Sequence, residues 1–129
     1  MSADVLVDTC IWINFLRGVE SPYRHEMRMI LRSRRALLCG IVMAELLQGV
    51  RRRQQERKLA AALEGLPYIE MTRQIWNDAG MIGAGLRAGG HTVPVSDLAI
   101  AALALHYDVL LFSFDTHFNW IPQLRRYAG

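Results

Sequence analysis

One short segment near the start of the chain, residues 4–17 (DVLVDTCIWINFLR), joins a β-branched run to an apolar helical pattern through a single carboxylate. The run Val5, Leu6 and Val7 has the length and branching typical of a fully buried strand. Asp8 follows at its carboxyl end, where open α/β sheets bind their ligands. An acid in this place could equally cap the helix that follows. The segment therefore predicts an acid at the edge of a sheet, whose role depends on what else reaches that edge.

The rest of the chain alternates short apolar runs with helical patterns. Strands are predicted at residues 5–7, 36–39, 68–71 and 109–112. Helices are predicted at residues 9–17, 22–34, 41–50, 54–63 and 72–88, and from about residue 96. Gly80, Gly83 and Gly85 are expected to permit close packing of the fifth helix. Because parallel strands need helical crossovers, this order predicts an α/β sandwich with a mainly parallel central sheet.

The size of the chain and its apolar content indicate one domain spanning residues 1–129. A chain of 129 residues that is 52% hydrophobic can bury a large core without disulfides. Asp4 and Asp8 interrupt the first ten residues, which argues against a signal peptide. The longest apolar run, residues 98–105, is too short to span a bilayer. A cytoplasmic protein without membrane contact is therefore expected, with Cys10 and Cys39 as reduced thiols.

Positive charge is concentrated in two stretches. The net charge of +3 is compatible with a nucleic-acid partner but too small to require one. Five arginines lie in residues 24–35, and four more with the single lysine, Lys58, lie in residues 51–58. Guanidinium groups bind phosphate or carboxylate bidentately. Both stretches could also be solvated helix faces, so an RNA or acidic partner and a plain surface stay open.

Four acids are expected to meet at one edge of the sheet. Asp8 and Asp115 follow strands, while Glu45 and Asp97 are expected in the first turns of helices that begin near the same edge. Each interrupts an apolar context, and a buried carboxylate without a partner is costly. Taken singly, Asp97 could complement a helix dipole and Asp115 could be a turn residue. Taken together, the four acids predict a clustered site.

Clustered carboxylates without cations repel one another unless a divalent ion is bound. An all-oxygen site of Asp and Glu suits Mg²⁺ or Mn²⁺, and the lack of His and Cys ligands in the set argues against zinc. The sequence therefore predicts that Asp8, Glu45, Asp97 and Asp115 hold Mg²⁺ or Mn²⁺.

Four segments carry a resemblance to a known family. They are VLVDTCIWINFLRG with Asp8, VMAELLQG with Glu45, VSDLAIAALALHYDVLL with Asp97 and LFSFDTHFNWIP with Asp115. In this order and spacing, the chain resembles the PIN-domain ribonucleases and, within that family, the VapC-type toxins of bacterial toxin–antitoxin pairs. The resemblance implies a PIN-like α/β/α sandwich and a metal-dependent endoribonuclease that inhibits translation.

The same resemblance implies roles for individual residues and partners. It makes Asp8, Glu45, Asp97 and Asp115 the catalytic and metal-binding acids, supported by the hydroxyls of Thr9 and Ser113. His117 also fits the closing motif, as a structural or RNA-contacting group. The implied partners are an RNA substrate, a second copy of the chain in a homodimer, and a cognate antitoxin. An apolar rim of Trp12, Phe15 and Leu16 is expected to receive an antitoxin segment that carries a basic residue into the acidic pocket.

The implied reaction is hydrolysis of a phosphodiester by metal-activated water. Single-stranded or loop RNA is the more accessible substrate, because an A-form duplex hides its base edges in a deep groove. Receiver domains and dehalogenase-type phosphatases also place acids after strands, but both need a late lysine, and Lys58 lies too early. The phosphatases also need an acid where Cys10 stands. A non-catalytic RNA-binding or antitoxin-binding PIN-like protein stays open as the alternative.

Overall fold

A four-stranded sheet forms the centre of the protein, whose computed structural model describes residues 3–18 and 20–128. Its strands are β1 (Val5–Val7), β2 (Ala36–Cys39), β3 (Tyr68–Ile69) and β4 (Leu110–Phe112). The order is β3-β2-β1-β4 and every pairing is parallel. The predicted parallel sheet is confirmed, although β3 ends at Ile69 rather than at residue 71.

Two helices follow each of the first three strands, as predicted. They are α1 (Thr9–Leu16), α2 (Pro22–Arg32), α3 (Gly40–Gln48), α4 (Arg53–Glu64), α5 (Arg73–Ala88) and α6 (Val95–Tyr107). A short 3₁₀ helix, Thr116–Trp120, follows β4 and was not predicted. Among the described residues, no helix has the length and apolar character needed to cross a membrane. The α/β class is therefore confirmed.

Burial explains why β1 holds the site in place. Val5, Leu6 and Val7 have no exposed surface, because β1 is a central strand paired with β2 on one side and β4 on the other. Burying such side chains stabilises the fold by about 1.5–3 kcal/mol each. The pairing of Val7 with Phe112 ends both strands at one level, so the residues after them, Asp8 and Ser113, lie at the same edge.

The start of α6 is positioned by its packing on α5. A Cβ atom at Gly83 would lie 2.6 Å from Leu98 Cδ1, so a larger residue would require the Leu98 side chain to move, and glycine permits the close approach of the two helices. A Cβ atom built on Gly80 or on Gly85 would meet open space. Of the three glycines, only Gly83 therefore has the predicted packing role. Gly90 adopts φ +90° in the connection, a conformation that favours glycine. These contacts bring the first turn of α6, which carries Asp97, to the carboxyl edge of the sheet.

Candidate active site

Two acids and a histidine form a tight cluster at the carboxyl edge of the sheet. Asp97 lies in the first turn of α6, and its side chain is 14% exposed. Asp115 caps the 3₁₀ helix by accepting the His117 backbone N–H at 2.9 Å. His117 Nδ1 lies 2.8 Å from Asp97 Oδ2 and 3.1 Å from Asp115 Oδ1. One ligand atom from each of the three residues lies within 4.8 Å of the others, which is a spacing that could hold a metal ion.

Asp8 joins this cluster through a serine hydroxyl. It is only 5% exposed, and its Oδ1 accepts the Thr9 backbone N–H at 2.8 Å. Ser113 Oγ donates to Asp8 Oδ2 at 2.7 Å and accepts the Asp115 backbone N–H at 3.0 Å. Asp8 therefore caps α1 and also faces the Asp115 loop. It is both a helix cap and an acid at the edge of the sheet.

Glu45 lies outside the three-residue cluster. It is the sixth residue of α3, so it stands in the second turn and the predicted first-turn placement is wrong. The reason is that α3 begins at Gly40, directly after β2. Its side chain is exposed, because Val42 and Leu46 supply the buried face of the helix. Thr9 Oγ1 donates to Glu45 Oε1 at 2.8 Å, which ties the carboxylate to the residue that follows Asp8.

The electrostatics of the site depend on His117. Among the described residues, no lysine or arginine forms an ion pair with Asp8, Glu45, Asp97 or Asp115. Burial raises the pKa of Asp97, the nearby charges of Asp115 and Asp8 raise it further, and the hydrogen bond from His117 opposes them. The pKa of His117 is raised in turn, chiefly by its hydrogen bond to Asp97. The hydrogen bond therefore favours the protonated, cationic form of the imidazole.

The donor set fits a hard divalent cation. Carboxylate oxygens of Asp97 and Asp115 lie within 4.8 Å of each other, and Asp8 is close enough for its charge to act on Asp97. Oxygen ligands of this kind are those that Mg²⁺ and Mn²⁺ prefer. His117, which was expected to be a structural or RNA-contacting group, lies beside the acids, with its Nδ1 between Asp97 and Asp115. The sequence did contain the signal, since His117 stands two residues after Asp115.

Removing the His117 ring should strengthen Mg²⁺ binding at low pH. The ring nitrogen occupies the carboxylate lone pairs, and its raised pKa keeps it protonated over a wider pH range. The affinity of wild type for Mg²⁺ should therefore increase as the pH rises through the pKa of His117. His117→Ala should bind Mg²⁺ about tenfold more tightly than wild type at about pH 6, and the difference should be smaller at about pH 8.

Calorimetric titration with Mg²⁺ at the two pH values measures this effect. The matched control is His106→Ala, in the last turn of α6 at the opposite end from Asp97, which should follow wild type. Weaker binding by His117→Ala at both pH values would mean instead that the ring nitrogen is a ligand.

An apolar groove between α1, α3 and α4 includes Glu45 in its lining. It encloses about 610 Å³, and Glu45, Arg17 and Lys58 contribute polar groups to it. Its apolar lining is Ile13, Leu16, Leu46, Val50, Leu59 and Ala62. The predicted apolar rim is correct for Leu16, which is 51% exposed, but wrong for Trp12, which is 5% exposed. Trp12 is buried because it shares with Ile11 the face of α1 that packs into the core.

Comparison with known proteins agrees with this architecture. The PIN domain family matches residues 5–123. Ribonuclease VapC11 of Mycobacterium tuberculosis is 27% identical over 124 residues, which cover 93% of this chain and 92% of that protein. A VapC ribonuclease of Mycobacterium bovis matches equally well.

Solved structures share the fold at lower identity. The VapBC2 structure from Rickettsia felis, bound to a promoter DNA fragment, superposes with a TM-score of 0.80 at 20% identity and covers 95% of this chain and 96% of that one. VapBC-1 from nontypeable Haemophilus influenzae gives a TM-score of 0.77 at 22% identity, with the same coverage. At identities of 20% and 22%, these comparisons show that the chain shares the fold of those structures.

Proposed function

This chain belongs to the PIN domain family, and from that premise we propose that it is a metal-dependent endoribonuclease, the toxin of a VapBC-type toxin–antitoxin pair. The observation that carries the proposal is the convergence of Asp97 and Asp115 beside the buried carboxylate of Asp8. The similarity to VapC ribonucleases supports RNA as the substrate, with inhibition of translation as the consequence of its cleavage.

In this proposal, Asp8, Asp97, Asp115 and Glu45 are the catalytic acids, and Asp8, Asp97 and Asp115 are the principal ligands of Mg²⁺ or Mn²⁺. Such an ion lowers the pKa of bound water and stabilises the charge that develops on the phosphate. Asp8 is held by the Thr9 backbone N–H and the Ser113 hydroxyl, so its carboxylate cannot rotate away from the site. Preorganised ligands of this kind need no rearrangement during the reaction.

Thr9 and Ser113 act as supports for the acids. The Ser113 hydroxyl couples the position of Asp8 to the loop that carries Asp115. The Thr9 hydroxyl orients Glu45, whose exposed carboxylate stands where it can orient a water molecule beside Asp8. Groups that orient metal ligands contribute strongly to metal affinity and activity.

The expression of the protein in cells tests the activity itself. Brief expression of wild type should create new RNA 5′ ends at defined positions, and Asp8→Asn should not. Identical end profiles for wild type and Asp8→Asn would contradict the proposal.

We propose that the antitoxin binds in the groove between α1, α3 and α4. Solved structures that share the fold include VapBC proteins from Rickettsia felis and Haemophilus influenzae and a toxin–antitoxin complex from Klebsiella pneumoniae, which supports a protein partner of this kind. The groove combines apolar walls with the carboxylate of Glu45 at its edge. An amphipathic segment with one basic residue would complement both features. A homodimer, a single domain over residues 1–129 and a cytoplasmic location complete the proposal.

A charge placed in the groove should weaken the complex with the antitoxin. Leu16→Glu introduces a carboxylate into an apolar wall, which should raise the dissociation constant at least about tenfold and leave RNA cleavage unchanged. Met81→Glu, at an exposed methionine of α5, is the matched control. Affinity chromatography with the product of the neighbouring open reading frame, followed by titration, measures the difference.

Equal affinity of Leu16→Glu and wild type would place the antitoxin elsewhere. Neutralising every basic residue in the partner's binding segment tests the charge separately. If the neutralised antitoxin still inhibits RNA cleavage, its basic residues do not pair with the acidic site, and the proposal that it binds in the groove still stands.

A further inference from the structure

An exposed tryptophan stands beside the acid cluster. Trp120 ends the 3₁₀ helix and is 40% exposed. Its ring stacks on His91 with centroids 4.2 Å apart and planes 23° apart. One face of the indole is therefore covered by a second aromatic ring, while a large part of the residue meets solvent.

The position of this indole is fixed from two directions. Phe118 and Ile121 are buried in the core and anchor the segment that carries Trp120. His91 lies in the connection between α5 and α6, and its backbone N–H donates to Leu86 O at 2.8 Å. Because both partners belong to anchored segments, the exposed ring is held in place before any ligand arrives.

The indole is adjacent to the groups that would meet a phosphate. The ring centroids of Trp120 and His117 are 6.1 Å apart, and His117 contacts Asp97 and Asp115 directly. In a nucleic acid, one ribose separates each base from the phosphate backbone. A phosphate at the acid cluster therefore places a neighbouring base within reach of Trp120.

We propose that Trp120, backed by His91, is a stacking platform for a nucleobase next to the scissile phosphate of single-stranded RNA. This inference rests on the proposed ribonuclease function and adds a positioning residue to it. Single-stranded bases stack on aromatic side chains, whereas the bases of a duplex are already stacked on one another. Stacking is tolerant of base identity, so the platform holds the strand in register rather than reading its sequence.

Substitution of the indole tests the platform in the active protein. Trp120→Ala should raise KM for an oligoribonucleotide of about 12 nucleotides about tenfold, with kcat changed by less than about twofold. Trp120→Phe should restore most of the affinity, because it keeps a flat ring. Trp76→Ala is the matched control: Trp76 is 46% exposed and lies in the first turn of α5, the far end of that helix from the connection that carries His91.

An abasic nucleotide separates stacking from a structural effect. Binding is measured by fluorescence anisotropy with Mg²⁺ in an Asp8→Asn background, using oligonucleotides that lack one base at each successive position. At one position, loss of the base should weaken binding to the Trp120 protein about tenfold and leave binding to the Trp120→Ala protein unchanged. Equal loss for both proteins at every position would overturn the platform.

The two proposals fail in different ways. If wild type cleaves RNA and Trp120→Ala has unchanged KM, the platform is wrong and the ribonuclease function stands. If wild type does not cleave RNA but its binding depends on Trp120 and on one base, the activity is wrong and the platform stands. A fall in kcat alone, with the thermal stability also lowered, would assign Trp120 a structural role and overturn the platform.

Discussion

Asp97→Asn, Asp115→Asn and Asp8→Asn should each lower Mg²⁺-dependent RNA cleavage by at least about a hundredfold. Loss of a group that only supports a metal ligand typically costs about 10- to 100-fold, so loss of a ligand itself should cost more. Asparagine keeps the shape of each side chain and its hydrogen-bond acceptor, and it removes the charge that holds the ion. Glu45→Gln should lower cleavage by about tenfold or more, because Glu45 lies outside the tight cluster.

Initial rates on a labelled single-stranded RNA, with Mg²⁺ present, measure these losses. The matched control is Asp108→Asn, at the carboxyl end of α6, where Asp108 adopts a left-handed conformation that asparagine also tolerates. Its partner Arg125 is remote from the described cluster, so cleavage should be unchanged. Wild-type rates for purified Asp97→Asn would show that the proposed acids are not the catalytic ones.

The second large effect concerns thermal stability with and without metal. In chelator, Asp97→Asn should melt about 4 °C above wild type, equivalent to about 1 kcal/mol. The reason is that Asp97 is largely buried near the charges of Asp115 and Asp8, while an asparagine can still accept the hydrogen bond of His117. Mg²⁺ at about 100 times its Kd should stabilise wild type by about 2.7 kcal/mol, or about 10 °C, and the variant by less.

The pH dependence of this difference has a definite sign. The pKa of Asp97 is raised in the folded protein, so its ionisation costs folding free energy at pH values above the folded pKa. Below the unfolded pKa of about 3.9, the carboxyl is protonated in both states and the cost disappears. The advantage of Asp97→Asn in chelator should therefore shrink as the pH falls towards about 4.

Thermal unfolding of wild type, Asp97→Asn and Asp108→Asn, with EDTA and with Mg²⁺, gives the comparison. Asp108→Asn should show the same response to metal as wild type. If the acids were independent helix caps, each substitution would be neutral or destabilising and metal would have no effect. Wild-type curves that are identical with and without metal would reject a shared site.

Local sequence patterns were sufficient to find the four strands and six α-helices, although they missed the 3₁₀ helix and extended β3 too far. The buried run before Asp8 and the run before Ser113 form neighbouring parallel strands, as expected from their length and branching. Ser21 caps α2 and Pro22 begins it, because a cap and a first-turn proline act through neighbouring backbone groups. The placement of Asp8 and Asp115 at one edge followed from the same patterns, because parallel strands share their carboxyl edge.

Side-chain surroundings were harder to predict. Trp12 was expected at an exposed rim and is buried, and Glu45 was expected among apolar neighbours and is exposed. Both depend on which face of a helix meets the sheet, and apolar residues on several faces leave that choice open. His117 was assigned a structural or RNA-contacting role, and its contact with Asp97 was not foreseen. That contact depends on the 3₁₀ helix, which was not predicted.

The sequence by itself determined the α/β class, the order of the elements and the positions of Asp8, Asp97 and Asp115 relative to their own strands or helix, but it placed Glu45 one turn too early in α3. These properties follow from periodicity, capping and chain connectivity, which act over a few residues. Only the tertiary structure decided that His117 lies between Asp97 and Asp115, that Thr9 connects Glu45 to the Asp8 region, and that Trp120 stacks on His91. These contacts join segments far apart in the chain. Their distances depend on how the helices pack against the sheet and against one another, which no local pattern specifies.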